Sequence, residues 1–236
     1  MQMLRVQDLV AGNGKAPLLS GLARPAPAAP AAPVGGWGKR TLDLGLVLLG
    51  LLLLWPLILG LVVLLKLTDP GPVLYGHRRV GFGGREFRCW KFRTMVVDGD
   101  AVLERHLQEN PADAAIWKEQ RKLVNDPRVT PLGAVLRKLS LDELPQLLNV
   151  LKGEMSLVGP RPVVQAELDH YGPSARHYLA ARPGLTGLWQ ISGRSDTTYA
   201  ERVRLDRFYV MKWNPWMDLR IIFMTIPAVA LSRGAH

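Results

Sequence analysis

The sequence predicts an α+β protein that is mainly helical, with a long apolar helix near its N-terminus and a small β-hairpin after it. Three features support this prediction. The run from Leu44 to Leu65 contains no charged residue. Residues 73–95 place two strand-like segments around the glycine turn GFGG, which is typical of a hairpin. Most of the chain beyond residue 100 carries apolar residues at helical spacing.

The charge balance indicates an anionic partner. The 236 residues include 30 Lys and Arg against 20 Asp and Glu, and the pI is near 10.1. This excess favours binding to nucleic acid, a phospholipid surface or a phosphorylated substrate. A single cysteine, Cys89, excludes an internal disulfide. Cysteine and histidine do not cluster with zinc spacing, so we expect any metal to be a hard cation on oxygen ligands.

Residues 1–36 are predicted to form a disordered arm. They end in RPAPAAPAAPVGG, an Ala/Pro/Gly tract with few side chains to bury. Because this composition favours disordered or polyproline-like chain, we expect the arm to act as a tether.

Residues 37–67 are predicted to form a membrane helix. At ~1.5 Å per residue, the uncharged run is long enough to cross a ~30 Å hydrocarbon core. A signal peptide is excluded because the run starts far from the N-terminus, is too long and lacks a small-residue cleavage site.

Two topologies fit this helix. Pro56 lies inside the apolar run, where a proline removes a backbone hydrogen bond and costs ~3 kcal/mol or more. Basic residues mark cytoplasmic ends, and here they flank both ends of the run: Lys39, Arg40, Lys66, His77, Arg78, Arg79 and Arg85. A helix broken at Pro56 that returns to the same leaflet explains both facts. On the residues alone, a kinked single-pass helix fits equally well.

Residues 68–236 are predicted to form a water-exposed domain. After the hairpin, helices are expected over 100–124 with a division at Pro111, over 132–139 and over 198–213, and a loop around a short strand over 182–194. The last apolar run, Ile221 to Leu231, is too short to span. Tryptophans and arginines flank it, which favours an interfacial helix over a core helix.

The acidic pair Asp142 and Glu143 has two interpretations. Ser140 and Glu143 fit a capping box, in which first-turn acids also complement the helix dipole. Pro145 disfavours a helix that starts at Ser140 and favours a start at Asp142 or Glu143. The buried stripe of that helix would consist of Leu144, Leu147, Leu148 and Leu151.

Cations near the acidic pair favour phosphate chemistry. An ionised aspartate beside a bound phosphate is either a metal ligand or a nucleophile that forms an acyl phosphate. Arg137 precedes the pair, and the prolines at 160 and 162 hold Arg161 rigidly for bidentate phosphate recognition. Lys91 and Arg93 alternate with aromatic residues, so they are expected to share one face of the second strand. Together these residues predict a phosphorylated substrate at a membrane surface.

Three motifs resemble one family: KFRTM (91–95), NDPRVTPLGAVLRKLSLDELPQLLNVLKGEMSLVGPRP (125–162) and RPGLTGLWQISGR (182–194). They resemble the bacterial sugar transferases, monotopic polyprenyl-phosphate phosphoglycosyl transferases that initiate polysaccharide and glycoconjugate assembly. The resemblance extends from about Trp37 to Gly234. It is closest to the exopolysaccharide-initiating galactosyl- or glucosyl-1-phosphate transferases.

The resemblance implies a covalent mechanism. Asp142 would attack the sugar-bearing phosphorus of a UDP-sugar and release UMP, and undecaprenyl phosphate would then accept the phosphosugar. Mg²⁺ is expected at Asp142 and Glu143, with Glu143 assisting catalysis. Substrate contacts are implied for Lys91, Arg93, Arg137, Pro160, Arg161, Pro162, Arg194, Asp206 and Asp218.

The resemblance also favours one topology and location. It implies a monotopic protein whose re-entrant helix bends at Pro56 and whose catalytic domain lies on the cytoplasmic face of the bacterial inner membrane, among its lipids. A nucleic-acid partner is not expected, because no basic stripe with interleaved aromatics is present. A membrane scaffold that binds anionic lipid is the alternative, although it would not need Asp142 beside Arg161. The transferred sugar and the oligomeric state, a homo-oligomer included, remain open.

Overall fold

A computed structural model describes residues 32–120, 123, 125–192 and 197–230. Most of the described chain is helical, as predicted. The helices are α1 (Gly36–Thr68), α2 (Gly99–Glu109), α3 (Pro111–Gln120), α4 (Pro131–Lys138), α5 (Gln146–Lys152), α6 (Gln165–Asp169), α7 (Ala175–Leu179), α8 (Leu188–Ile191), α9 (Tyr199–Lys212) and α10 (Pro215–Ala230). The strands are β1 (Leu74–Val80), β2 (Glu86–Phe92), β3 (Ser156–Val158) and β4 (Gly184–Thr186). The predicted arm lies outside the described residues up to position 31.

Helix α1 is continuous through Pro56, so the predicted break of the helix at this residue is not seen. It has 33 residues and is, by length and composition, able to cross a membrane; 11% of its most apolar stretch is buried. Exposed apolar side chains occur along the whole helix and include Trp37, Leu48, Leu52, Leu53, Trp55, Leu59 and Leu67. The helix therefore presents most of its apolar surface away from the rest of the protein.

Both ends of α1 pack against the remaining domain. Val47, near the first end, lies in a core cluster with Phe87 of β2 and Val150 of α5. Leu65, near the other end, lies in a second cluster with Phe92 of β2. One strand thus supports both ends of the helix.

The predicted hairpin is confirmed. Strands β1 and β2 pair antiparallel, with Tyr75 opposite Lys91 and His77 opposite Cys89. Phe87, Cys89 and Lys91 alternate with outward residues and therefore point to the same face, towards α5. This alternation directs the Lys91 side chain towards the domain interior.

The short strand expected within 182–194 is confirmed as β4, but its parallel pairing with β3 was not predicted. The two strands have three residues each, and the paired chains continue in close contact beyond them. A Cβ added to Gly184 would lie 2.1 Å from the backbone nitrogen of Gly159, so only glycine permits this approach. The pairing brings the segment that contains Arg161 beside the segment that leads to α8.

The predicted helix boundaries are correct in several places and wrong in one. Asn110 separates α2 from α3 at the predicted proline, and α4 and α9 form as expected. The predicted helix start at Asp142 or Glu143 is wrong, because Leu141–Glu143 form a separate 3₁₀ turn and α5 begins at Gln146. The capping box is absent: Ser140 adopts a φ of 55°, and its side chain makes no capping hydrogen bond.

The buried stripe of α5 also differs from the prediction. Leu147 is buried, but Leu148 is 41% exposed. The chain buries Gln146, Asn149 and Val150 instead. Asn149 explains the difference, since its amide accepts from the Trp90 backbone N–H at 3.0 Å and donates to the Arg88 carbonyl at 2.7 Å. This polar contact fixes α5 against the hairpin.

Helix α10 combines both environments considered for it. Ile221 is 1% exposed and belongs to a core cluster with Tyr209 of α9. Trp216, Phe223 and Ile226 are 78%, 75% and 66% exposed. One face of the helix is therefore core, and the other is an apolar surface.

Candidate active site

The acidic pair and Lys91 form a compact triad. The Lys91 Nζ donates to Glu143 Oε1 at 2.6 Å and to Asp142 Oδ2 at 3.2 Å. The Asp142 side chain is 9% exposed and that of Glu143 is 31% exposed. The site thus has one nearly buried carboxylate and one that solvent reaches.

Local backbone structure brings the triad together. Ser140, which comes after α4, has a left-handed backbone conformation. The 3₁₀ turn that follows it carries both acids. Leu141 packs in the same core cluster as Phe92, the strand neighbour of Lys91. The turn and the strand therefore meet through apolar packing, which places the acids against the ammonium.

Burial and neighbouring charges act in opposite directions in the triad. Burial raises the pKa of Asp142, and the Glu143 charge adds to this, whereas Lys91 and Arg137 oppose it. For Lys91, burial disfavours the charged form, but Glu143 and Asp142 outweigh burial and raise its pKa. Two carboxylates therefore share one firmly protonated ammonium, and Asp142 is more basic than an exposed aspartate.

Arg137 lies beside the triad. Its Nε donates to the Thr94 hydroxyl at 2.8 Å, and its charge acts on Asp142. Arg137 is otherwise exposed at the end of α4. Its terminal nitrogens are thus positioned to bind an anion near Asp142.

Arg161 also lies within electrostatic range of the triad. Pro160 is fully buried, and Arg161 projects from it into solvent. Its guanidinium lies 5.3 Å from the Trp189 ring centroid, and its charge reaches Lys91. Among the described residues, its guanidinium has neither a hydrogen-bond nor an ion-pair partner. Pro162, which follows, is half-buried.

Trp189 is a site residue that the sequence analysis did not single out. Arg202 of α9 also lies over its ring, at 4.6 Å. The indole therefore holds two guanidiniums near each other. The position of Trp189 in the RPGLTGLWQISGR motif was the available signal, but the partner arginines come from distant parts of the chain.

Asp206 lies beneath these arginines. It is 2% exposed and accepts a hydrogen bond from the Tyr171 hydroxyl at 2.8 Å. Burial raises the pKa of Asp206 to about 7, although Tyr171, Arg161 and Arg202 oppose this shift. Its contact with the site is therefore electrostatic, through Arg161.

Asp218 belongs to a different cluster. It is 1% exposed, and its carboxylate accepts from Lys39 at 2.5 Å, from the Tyr209 hydroxyl at 2.7 Å and from the Trp213 indole at 3.0 Å. These partners occupy both oxygens. Asp218 joins the start of α1 to α9 and α10.

Arg93 also lies apart from the acidic pair. Its Nη2 bonds to the backbone oxygen and the carboxylate of Asp69, at 2.5 Å and 3.1 Å. Lys91 and Arg93 therefore have separate partners, although they were expected to act on one face. Arg194 lies outside the described residues.

The acidic pair fits a divalent cation that a substrate also binds. Within the described ranges, no group of three or more His, Cys, Asp or Glu side chains could hold a metal by itself. Asp142 and Glu143 nevertheless reach one common point, which the Lys91 ammonium occupies. Mg²⁺ commonly binds through one or two carboxylates plus substrate phosphates, so this donor set suits it.

The arrangement suits attack on phosphorus. A nearly buried carboxylate whose pKa is raised by burial can act as a nucleophile, and an ammonium beside it can neutralise charge that develops on a phosphoryl group. The nearby guanidiniums of Arg137 and Arg161 can bind further phosphate oxygens. The geometry favours phosphoryl transfer through Asp142.

Comparison with known proteins finds a family match over most of the chain. The model of the bacterial sugar transferase family matches residues 34–232. The exopolysaccharide production protein ExoY of Rhizobium meliloti is 57% identical over 204 residues, which cover 86% of this chain and 90% of that protein. The undecaprenyl-phosphate galactose phosphotransferase of Salmonella typhimurium is 49% identical over 84% of this chain and 41% of its own length.

A third relative has a name that specifies glucose. The UDP-glucose:undecaprenyl-phosphate glucose-1-phosphate transferase of Xanthomonas campestris is 39% identical over 84% of this chain and 40% of its own length. The family model and the identity to ExoY both extend over most of the chain. The chain therefore belongs to the bacterial sugar transferase family.

Proposed function

We propose that this protein transfers a hexose-1-phosphate, with glucose or galactose as the hexose, from a UDP-sugar to undecaprenyl phosphate. This would be the first membrane step of exopolysaccharide biosynthesis, at the cytoplasmic face of the bacterial inner membrane. The observation that carries the proposal is the buried Asp142 carboxylate held at 3.2 Å by Lys91. The names of the galactose and glucose relatives support the lipid acceptor and the hexose.

The reaction would have two displacements at one phosphorus. An Asp142 oxygen attacks the phosphorus that carries the sugar, the bond to the bridging oxygen breaks, and UMP leaves with that oxygen. A phosphosugar-aspartyl enzyme results. An oxygen of the lipid phosphate then attacks the same phosphorus, the acyl phosphate bond breaks, and the Asp142 carboxylate is restored.

Several side chains of this chain would assist. Lys91 balances charge at the reacting phosphoryl group. Arg137 and Arg161 bind phosphate oxygens of the donor. Asp142 and Glu143 would hold Mg²⁺, which supplies further charge neutralisation when bound.

A donor screen tests the proposal against the scaffold alternative. UMP release would be measured with a panel of UDP-sugars, with and without undecaprenyl phosphate. We expect lipid-dependent UMP release with UDP-glucose or UDP-galactose. A protein that only binds anionic lipid would release no UMP with any donor.

Arg161 is expected to act through its shape as well as its charge. Replacing Arg161 with Lys keeps the charge but loses the planar group that lies over Trp189 and that can bind phosphate bidentately. We expect kcat/KM for the UDP-sugar to fall by roughly tenfold. Wild-type kinetics in this variant would show that Arg161 does not bind the donor through its planar group and is only part of the turn.

The pH dependence should follow the triad charges. Attack requires the Asp142 carboxylate, so kcat/KM should fall as the pH drops through the pKa of Asp142, which burial and Glu143 raise. Glu143→Gln removes a like charge and should move this acid limb to lower pH. Lys91→Met removes a stabilising cation and should move it to higher pH. If both variants moved the acid limb in the same direction, the assignment of this limb to Asp142 would be contradicted.

Packing at both ends of α1 supports a re-entrant membrane helix. The contacts of Val47 and Leu65 with one strand favour both ends on one side of the membrane. The buried Lys39–Asp218 pair also holds the start of α1 to the domain. Exposed Trp216, Phe223 and Ile226 of α10 fit an interfacial helix.

Pro56→Leu tests this topology. A proline inside a helix costs about 3 kcal/mol or more, so its removal should favour the straight helix by roughly a hundredfold. The contacts at both ends oppose straightening, and we therefore expect a mixed population with the N-terminus partly outside and lower activity.

The readout is thiol labelling of intact cells. A Pro30→Cys reporter in a Cys89→Ala background would be treated with a membrane-impermeant reagent. We expect no labelling with Pro56 present and clear labelling with Pro56→Leu. Labelling with Pro56 present would establish a true span.

A further inference from the structure

Arg93 is a buried guanidinium that the protein only partly satisfies. Its side chain is 8% exposed, and Nη2 alone bonds to Asp69. Within the part of the chain that the structure describes, its Nε and Nη1 are buried and have no hydrogen-bond partner. Buried donors on a charged group are costly when unpaired, so this arrangement indicates an anion partner.

The turn over Arg93 is shaped around the guanidinium. Gly71 has a φ of 137°, and a Cβ there would lie 2.2 Å from Arg93 Nη1. Asp69 ends α1, with its N–H bonded to the Leu65 carbonyl. The turn therefore holds one carboxylate on the guanidinium and keeps side chains off its other nitrogens.

This guanidinium lies where an apolar surface ends. The last turns of α1 leave Val63, Leu64 and Leu67 exposed, and Asp69 directly follows the helix. If α1 lies in the membrane, as proposed above, its polar end is at the level of lipid phosphates. A ligand that combines an apolar chain with a phosphate fits this place.

We propose that Arg93 and the turn of residues 69–72 form a lipid-phosphate site, separate from the donor site at Lys91, Arg137 and Arg161. Asp69 occupies the guanidinium when no lipid phosphate is bound, and the phosphate displaces its carboxylate. The site takes the phosphate of the acceptor lipid. This assignment rests on the proposed transferase function.

The position suits the second displacement. Arg93 follows Lys91 by two residues, so their α-carbons are at most roughly 7 Å apart. Lys91 contacts Asp142 directly. A phosphate held by Arg93 would thus lie on the same stretch of chain as the Lys91 that contacts Asp142.

Two variants with opposite expected effects test the site. Arg93→Met removes the guanidinium. We expect it to raise the KM for undecaprenyl phosphate by roughly tenfold or more over wild type, beyond any change in its rate of adduct formation. Asp69→Asn removes the competing charge and should lower that KM several-fold. Arg78→Met, in an exposed pair with Glu86, is the matched control and should leave the KM unchanged.

The assay separates the donor and acceptor steps. Full-length protein in phosphatidylcholine nanodiscs is first given the UDP-sugar alone, and adduct formation is measured; its absence in wild type would contradict the proposed function, not this site. Acceptor titrations follow, with and without phosphatidylglycerol. Competition by phosphatidylglycerol in wild type but not in Arg93→Met would support the site with a phospholipid headgroup as its ligand.

A structural ion pair would behave differently. Both variants would then lower the melting temperature and adduct formation together, with no change of acceptor KM in opposite directions. That result would overturn the proposal. The proposal would also fail if both variants had the wild-type KM for the acceptor and phosphatidylglycerol had no effect.

Discussion

Asp142→Asn is expected to lower turnover by roughly a thousandfold or more, since nucleophile removal has effects of this size or larger. The amide keeps the shape of the side chain but is too weak a nucleophile to form the phosphosugar intermediate. The effect should be on kcat, with any substrate and at any pH. The measurement is UMP release at saturating UDP-sugar and lipid phosphate.

Folding is not expected to fail in this variant. Glu143 still pairs with Lys91 at 2.6 Å, and a neutral amide is less costly to bury than the carboxylate. Asp100→Asn, an exposed change on α2, is the matched control and should keep full activity. Near-normal turnover of Asp142→Asn would contradict a covalent mechanism through Asp142.

Lys39→Met is expected to destabilise the protein by about 3–5 kcal/mol, which is typical when one partner of a buried ion pair is removed. Lys39 is 6% exposed and lies 2.5 Å from Asp218, which is 1% exposed. Among the described residues, the variant leaves the Asp218 charge with Tyr209 and Trp213 as its remaining donors. Thermal unfolding in detergent should show the loss.

A second substitution distinguishes charge burial from packing. Adding Asp218→Asn removes the uncompensated charge and keeps an acceptor for Tyr209, so it should recover a large part of the lost stability. Lys66→Met, at the exposed end of the same helix, should change stability by less than about 1 kcal/mol. If the double variant is less stable than Lys39→Met, the pair does not explain the effect.

The long helix, the hairpin and most later helices could be predicted because their patterns are local. An uncharged run, a glycine turn and helical spacing are each visible within about twenty residues. The separate turn at Leu141–Glu143 could not be predicted, because it depends on a left-handed conformation at Ser140, which a serine does not indicate. The short strand expected within 182–194 forms as β4, but its pairing with β3 could not be predicted, because β3 has only three residues and shows no period.

The residues of the candidate site could be predicted better than the contacts between them. The acids and nearby cations stand out by residue type, but the Lys91–Asp142 contact joins residues 51 positions apart. Lys91 and Arg93 alternate as expected, yet Asp69 pairs with Arg93 from the end of α1. A substrate contact was implied for Asp218, whereas its side chain bonds to Lys39, Tyr209 and Trp213 within the protein. Such long-range pairings depend on tertiary packing.

The most direct test of the central claim is the mass of the protein after incubation with UDP-sugar and no lipid acceptor. The account predicts one added hexose-phosphate, located on a peptide that contains Asp142 and absent from Asp142→Asn. Addition of undecaprenyl phosphate should then remove the adduct and yield the lipid-linked sugar. Lipid-dependent turnover without any adduct on Asp142, or an adduct that persists in Asp142→Asn, would contradict the account.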